Sequence, residues 1–111
     1  GNGEIKVDNT LHPGAADLPY LPEVGTILHV PAGFDRLHYY GRGPEENHWD
    51  RKDGTDVGRW SSTVREQWTP YLRPQENGNK TDVRWAALTD RRGRGLLVWG
   101  EELLEVNASH F

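Results

Sequence analysis

The sequence predicts an all-β, antiparallel domain, and three observations carry that prediction. Short stretches alternate apolar and polar residues at period two, most clearly from Asp82 to Thr89. No stretch sustains the 3.6-residue apolar period of a helix. The alternating stretches are joined by turns and polar loops rather than by the helical crossovers that parallel strands need. The chain has 111 residues, a single-domain length near the lower end for burying a sizeable core. Residues 1–111 read as one domain without internal repeats.

In chain order, Glu4 to Thr10 alternates (Ile5 and Val7 against Lys6 and Asp8) and predicts a first short strand. His12 to Pro22 holds three prolines and predicts an extended connector. Gly25 to Val30 predicts a second strand, and Pro31-Ala32-Gly33 a turn. Asp35 to Gly41 predicts a third strand, with Leu37 and Tyr39 on one side and Arg36, His38 and Tyr40 on the other. Gly41 to Arg59 reads as one long polar loop, of the kind that is functional or pinned by its own side chains. Trp60 to Tyr71 is ambiguous: Thr63-Val64-Arg65-Glu66 fits a capping box, yet Trp60, Val64 and Trp68 fit an extended segment equally well. The polar run Arg73 to Asn79 contains Pro74 and the turn dipeptide Asn77-Gly78, so it is irregular and feeds into the strand from Asp82. Asp90 to Gly95 predicts a hairpin turn returning into Leu96 to Trp99, and Leu103 to Phe111 a last strand.

Composition excludes several classes. Seventeen acidic residues against 13 Lys plus Arg give a formal charge of −4, which argues against a general nucleic-acid binder. The cluster Arg91, Arg92 and Arg94 is too small for a nucleic-acid face and reads as a solvated turn. There is no cysteine, hence no disulfide framework and no thiolate metal site. No apolar run approaches the ~18 residues of a membrane span. The polar start GNGEIKVDN shows no secretory leader, and its abruptness suggests a piece of a longer polypeptide.

Metal and cofactor motifs are equally thin. The five histidines form no zinc pattern. Asp50, Asp53 and Asp56 are spaced by three rather than the two of a calcium loop, so a solvated turn is expected there. Gly41-Arg42-Gly43-Pro44 is no dinucleotide fingerprint, because Pro44 intervenes and no βαβ unit is present. No metal and no cofactor is expected. Asn79-Lys80-Thr81 and Asn107-Ala108-Ser109 match the glycosylation sequon, which matters only in a eukaryotic secretory context. Glycoside hydrolysis needs two carboxylates at a set separation. Glu101-Glu102 would point to opposite faces of a strand, and Glu45-Glu46 is unconstrained in a loop, so no catalytic residue is assigned. The planar amide, carboxylate and guanidinium groups of the run Arg73 to Asn79 suit sugar hydroxyls; they suit the capping of loop backbone as well.

Three ordered motifs carry a resemblance. Tyr40-Gly41-Arg42-Gly43-Pro44 with Glu46-Asn47 and Asp50-Arg51 resembles YGRGPxENYxDR. Arg73 to Asn79 with Asp82-Val83-Arg84-Trp85 resembles RPQENGNxxDVRW, and Ala108-Ser109-His110-Phe111 resembles a SASHY ending. These are motifs of the C-terminal small-chain domain of family 2 β-galactosidases, and the resemblance spans Leu21 to Phe111. Two positions depart: His48 and Phe111 stand where the family has tyrosine. The resemblance implies an antiparallel β-sandwich, part of a galactose-mutarotase-like supersandwich. It implies a partner, the (β/α)₈ barrel of the same polypeptide, which carries the catalytic glutamates. It also implies that this chain is the N-terminal portion of a longer module.

The function expected on that basis is a non-catalytic accessory domain of a β-galactosidase, supporting the barrel and shaping one wall of the sugar pocket. The carbohydrate-binding candidates are Arg73, Gln75, Glu76, Asn77, Asn79, Arg84 and His110. Arg42, Glu46, Asn47, Asp50 and Arg51 are expected to form a network pinning the long loop, through an arginine paired with a carboxylate. The alternatives are an independent carbohydrate-binding module and an aldose-epimerase-like enzyme using His110 with Glu76 as acid and base. A galactoside is a possible ligand; nucleic acid and membrane are not expected partners. Open strand edges and apolar face predict a homo-oligomer. A cytoplasmic or periplasmic bacterial location is expected.

Overall fold

The computed structural model describes residues 1–15, 17–21 and 23–110. The all-β antiparallel class is what forms. Strands β1 (Arg36–Gly43), β2 (Asp56–Thr63), β3 (Lys80–Thr89) and β4 (Gly95–Val106) make one sheet in the order β2-β1-β3-β4. Every pairing is antiparallel. The sheet is a single layer, and the second sheet of a sandwich is not among the described residues.

Register settles which side chains share a face. One row crosses all four strands as Trp60, Tyr39, Ala86 and Val98, and the next as Ser62, Leu37, Leu88 and Leu96. This face holds the core: Leu37, Tyr39, Val64, Val83, Ala86 and Ala108 are buried, with Trp60, Leu88, Leu104 and Val106 packed against them. The alternation expected for the third strand is therefore real, since Leu37 and Tyr39 are each 2% exposed. Burial pushes the Tyr39 hydroxyl well above the usual phenol range, with Glu45 adding to the effect. Gly41 is required where β1 crosses β3, because a Cβ there would lie 2.8 Å from Val83 Cγ2.

The capping box at Thr63 closes a 3₁₀ turn, Val64–Gln67, rather than an α-helix. Glu66 N donates to Thr63 Oγ1, and Thr63 N donates to the Glu66 carboxylate at 2.7 Å. The Pro31–Gly33 turn forms, with Phe34 N on Pro31 O at 3.0 Å. The hairpin turn forms around Asp90, whose Oδ1 accepts from Arg92 N and Arg94 N, while Gly93 adopts φ +77°.

Four expectations are corrected. Glu4 to Thr10 and Gly25 to Val30 are not strands; described residues 1–30 have no regular structure and are all exposed. The two segments touch through Asn9 Nδ2 on Thr26 Oγ1 at 3.2 Å, but no backbone ladder joins them. The long loop is shorter than Gly41 to Arg59, because β1 runs on to Gly43 and β2 begins at Asp56. The two last strands are one: β4 continues through Gly100-Glu101-Glu102 by a register shift and ends at Val106. Phe111, expected to end that strand, lies outside the described residues.

Candidate functional site

The densest polar construction lies between the loop 44–55 and the stretch 69–82. Asn47 is its centre and is fully buried. Its Nδ2 donates to Arg42 O at 3.1 Å and Glu45 O at 2.9 Å, and its Oδ1 accepts from Thr81 N at 2.9 Å and Thr81 Oγ1 at 2.6 Å. An amide with both ends used in this way replaces a missing sheet ladder. The backbone adds to it, with Asn47 N on Asn79 O at 2.9 Å and Asn79 Nδ2 on Asn47 O at 3.0 Å.

Two carboxylates complete the construction. Glu46 accepts from Gly78 N at 2.8 Å, from the Tyr71 hydroxyl, and from Arg51 at 3.4 Å. Asp82 accepts from Arg42 Nε at 2.6 Å and Lys52 Nζ at 2.9 Å. The Arg42 and then the Lys52 hydrogen bonds hold its carboxyl below the usual carboxylate range. Asp82 sits at φ +52°, a left-handed conformation that aspartate tolerates better than most residues. Arg42 also donates to Thr55 O at 2.8 Å and Lys52 O at 3.3 Å, tying the far end of the loop to β1. Lys80 is 2% exposed, donates to Gly78 O at 3.1 Å, and lies 6.0 Å from the Tyr39 ring centroid. Burial lowers its pKa, opposed by the charges of Glu46 and Glu45.

The candidate sugar-binding residues divide. Asn77 accepts from Thr69 N at 2.7 Å and donates back to Thr69 O, a closed pairing that bridges the loop to itself. Asn79 is buried and shared between Asn47 O and Glu105 Oε2. Arg84 donates to Asp82 O at 2.6 Å and stacks over Tyr40, away from the loop 73–77. Arg73 and Gln75 are exposed and make no hydrogen bond or ion pair among the described residues. Glu76 meets His48 Nδ1 at 3.6 Å and is 73% exposed. His110 is exposed, beyond the end of β4. Of the five loop residues, Arg42, Glu46, Asn47 and Arg51 share contacts across the loop, whereas Asp50 is exposed and joins none among the described residues.

Lys52, Thr81, Tyr71 and Asp82 belong to the same construction and were not among the candidates. Thr81 and Asp82 could have been found from the sequence, because a polar pair opening a strand beside a loop is a natural anchor for that loop. His48 Nε2 and Gln67 Oε1 are buried without a hydrogen-bond partner among the described residues. Burial of Asn79 closes the first sequon. Chemically the arrangement clamps rather than reacts: Glu46 and Asp82 are both saturated by donors. Among the described residues, no group of three or more His, Asp or Glu could hold a metal, and no helix is long and apolar enough to cross a membrane.

The family model of the β-galactosidase small chain matches residues 1–111. The β-galactosidase of Priestia megaterium is 50% identical over 107 residues, covering 96% of this chain and 10% of that protein. β-Galactosidase BgaC of Bifidobacterium adolescentis is 45% identical over 82 residues, 74% of this chain and 8% of its own. That of Halalkalibacterium halodurans is 34% identical over 113 residues, 99% and 11%. The chain thus spans about a tenth of the length of the curated relatives it matches. The chain belongs to the β-galactosidase small-chain family.

Proposed function

We propose that this chain is a non-catalytic accessory domain of a β-galactosidase, an enzyme that hydrolyses terminal β-galactosides. One observation carries the proposal: the family match runs through the whole chain, yet that chain corresponds to a tenth of proteins named β-galactosidase. The chemistry of the pinned loop supports it, since Glu46 and Asp82 are committed to internal donors and unavailable as acid and nucleophile. Catalytic glutamates would be supplied by a barrel elsewhere in the polypeptide. The domain would brace that barrel and form one wall of its sugar pocket, in a supersandwich whose further strands lie in the same polypeptide. A cytoplasmic or periplasmic location fits such an enzyme. The open edges β2 and β4 would also let the chain self-associate as a homo-oligomer.

The test is a chimera: the Priestia megaterium enzyme with its matched stretch replaced by this chain. The chimera is expected to hydrolyse a nitrophenyl β-galactoside, and the isolated chain is not. Turnover by the chain alone, or a folded but inactive chimera, overturns the proposal.

A second reading, a carbohydrate-binding module, is favoured by one feature. Arg73 and Gln75 make no hydrogen bond or ion pair among the described residues and lie in the same connection as exposed Trp68 and Leu72. An NMR titration with galactose and lactose decides it: saturable shifts at residues 73–77 that vanish in Glu76→Ala support binding by the chain alone.

A further inference from the structure

The sequence holds two Asn-Gly pairs, Asn2-Gly3 and Asn77-Gly78. Such a pair carries its own chemistry. Glycine has no Cβ, so its backbone nitrogen approaches the Cγ of the preceding asparagine with little hindrance. Attack forms the N–Cγ bond of a cyclic imide, and the Cγ–Nδ2 bond breaks with loss of ammonia. Water then opens the imide at Cγ to give aspartate, or at the main-chain carbonyl to give isoaspartate. Water enters, ammonia leaves, and nothing is oxidised or reduced.

The fold treats the two pairs in opposite ways. Asn2 and Gly3 are exposed, and among the described residues Gly3 N makes no hydrogen bond and the Asn2 side chain pairs with Glu4 alone. At the second pair both the nucleophile and the leaving group are held. Gly78 N donates to Glu46 Oε2 at 2.8 Å, and the carbonyl of the same peptide, Asn77 O, accepts from Asn107 Nδ2 at 2.6 Å. The side-chain amide is fixed at both ends, by Thr69 N at 2.7 Å and by Thr69 O. Bringing Gly78 N onto Cγ turns the peptide plane against the side chain and so breaks these bonds. The Glu46 carboxylate also opposes the negative charge that attack develops on that nitrogen. The fold nevertheless demands both residues. Gly78 sits at φ +77° with its Cβ position 2.8 Å from Gln67 O, and Asn77 must accept and donate at once.

We infer that Asn77-Gly78 is a site of spontaneous deamidation that the loop clamp holds shut, and that its conversion releases the stretch 69–78 from the loop 44–55. The aspartate product places a carboxylate where Nδ2 met Thr69 O, so acceptor faces acceptor. The isoaspartate product lengthens the backbone by a methylene as well. A net hydrogen bond shifts an equilibrium by about five-fold, so the bonds on this pair close it by roughly 100- to 1,000-fold. Conversion follows the population of the open form when opening and closing are fast.

Peptide-resolved mass spectrometry of the chain aged at mildly alkaline pH tests this, with Asn2 as an internal clock. In the native chain Asn77 is expected to convert ~100-fold or more slowly than Asn2, and in urea at a similar rate. Asn107→Ala and Glu46→Ala are each expected to speed Asn77 by about five-fold or more and to leave Asn2 unchanged. Circular dichroism checks that both fold; if Glu46→Ala does not, the exposed Asn107→Ala, just past β4, carries the test. Native conversion of Asn77 within about ten-fold of the Asn2 rate overturns the inference. Unchanged Asn77 rates in the folded variants overturn it too. Slower conversion in folded Glu46→Ala also does so, because the carboxylate would then be the base that takes the Gly78 proton. Release is read by amide exchange in Asn77→Asp, which reproduces the aspartate product. The Gly78 N–H is expected to exchange on the order of ten-fold faster there; unchanged exchange overturns release.

Discussion

The loop 44–55 and the arm 1–30 are both almost devoid of regular structure, and they are opposites. In the loop Asn47 is fully buried and its amide makes four hydrogen bonds. In the arm every described residue is exposed, including Ile5 at 88% and Ile27 at 84%. Irregular backbone becomes as fixed as a sheet when its polar groups are answered one by one. Apolar alternation alone fixes nothing, because a strand needs a neighbour to bond with.

The comparison is broken most severely at Asn47. Asn47→Ala leaves the carbonyls of Arg42 and Glu45 and the N–H of Thr81 without their partner, at ~1–3 kcal/mol per buried group. A loss on the order of 3 kcal/mol is expected in a urea melt. A loss below about 1 kcal/mol would mean that water replaces the amide and that the loop is not held from its centre.

Asp82→Asn removes charge while keeping shape, and asparagine tolerates the left-handed backbone there. The expected loss at neutral pH is roughly 1–2 kcal/mol, the range for charge-assisted hydrogen bonds to Arg42 and Lys52. The native pKa of Asp82 is depressed, so its contribution is complete above the ordinary carboxylate range. It is lost as pH falls from about 4 through the depressed value. The parent and Asp82→Asn stability curves should therefore diverge above pH ~4 and converge in acid. Curves that stay parallel throughout would show that the carboxylate's charge does no holding.

Lys80→Met sharpens the comparison from the other side. Lys80 is as buried as the anchors but donates only to Gly78 O among the described residues, and its desolvation opposes its charge. Replacement by an apolar chain of similar length is expected to change stability by less than about 1 kcal/mol, with gain as readily as loss. A loss beyond about 2 kcal/mol would place the ammonium among the clamps beside Glu46.

The sequence was readable where local chemistry and the final neighbour agree. Leu37 and Tyr39 alternate and have β3 beside them; Thr63 and Glu66 cap within four residues; Asp90 organises its own turn. It was misleading where the neighbour decides. β2, DVGRWSST, carries only Val57 and Trp60 as apolar residues, and they lie on opposite faces, so its first half reads as loop and its second half as ambiguous; β1 makes it a strand. Gly100-Glu101-Glu102 looked like a break and is a register shift within β4. The loop motifs identified the polar construction, in which Asn77 pairs with the Thr69 backbone and Asn79 is shared between Asn47 O and the Glu105 carboxylate. A planar amide is equally suited to a sugar hydroxyl and a peptide group, and only geometry tells the two apart.

Removing residues 1–30 is the smallest expected effect and the sharpest test of the comparison. The described arm residues bury nothing, and the arm's tie to the sheet is Lys6 with Glu101 at 4.0 Å, both largely exposed. Such a pair contributes ~0–1 kcal/mol. The shortened chain is therefore expected to melt within about 5 °C of the parent and to be less prone to aggregate, because exposed Ile5, Val7, Ile27 and Leu28 leave with the arm. In the chimera the same deletion should cost measurably more, since the alternation of Glu4–Thr10 and the apolar Ile27 and Leu28 of Gly25–Val30 gain strand structure only beside a neighbour. Equal cost in both settings would mean that the alternation is incidental; a large cost in the isolated chain would mean that the arm already belongs to the sheet.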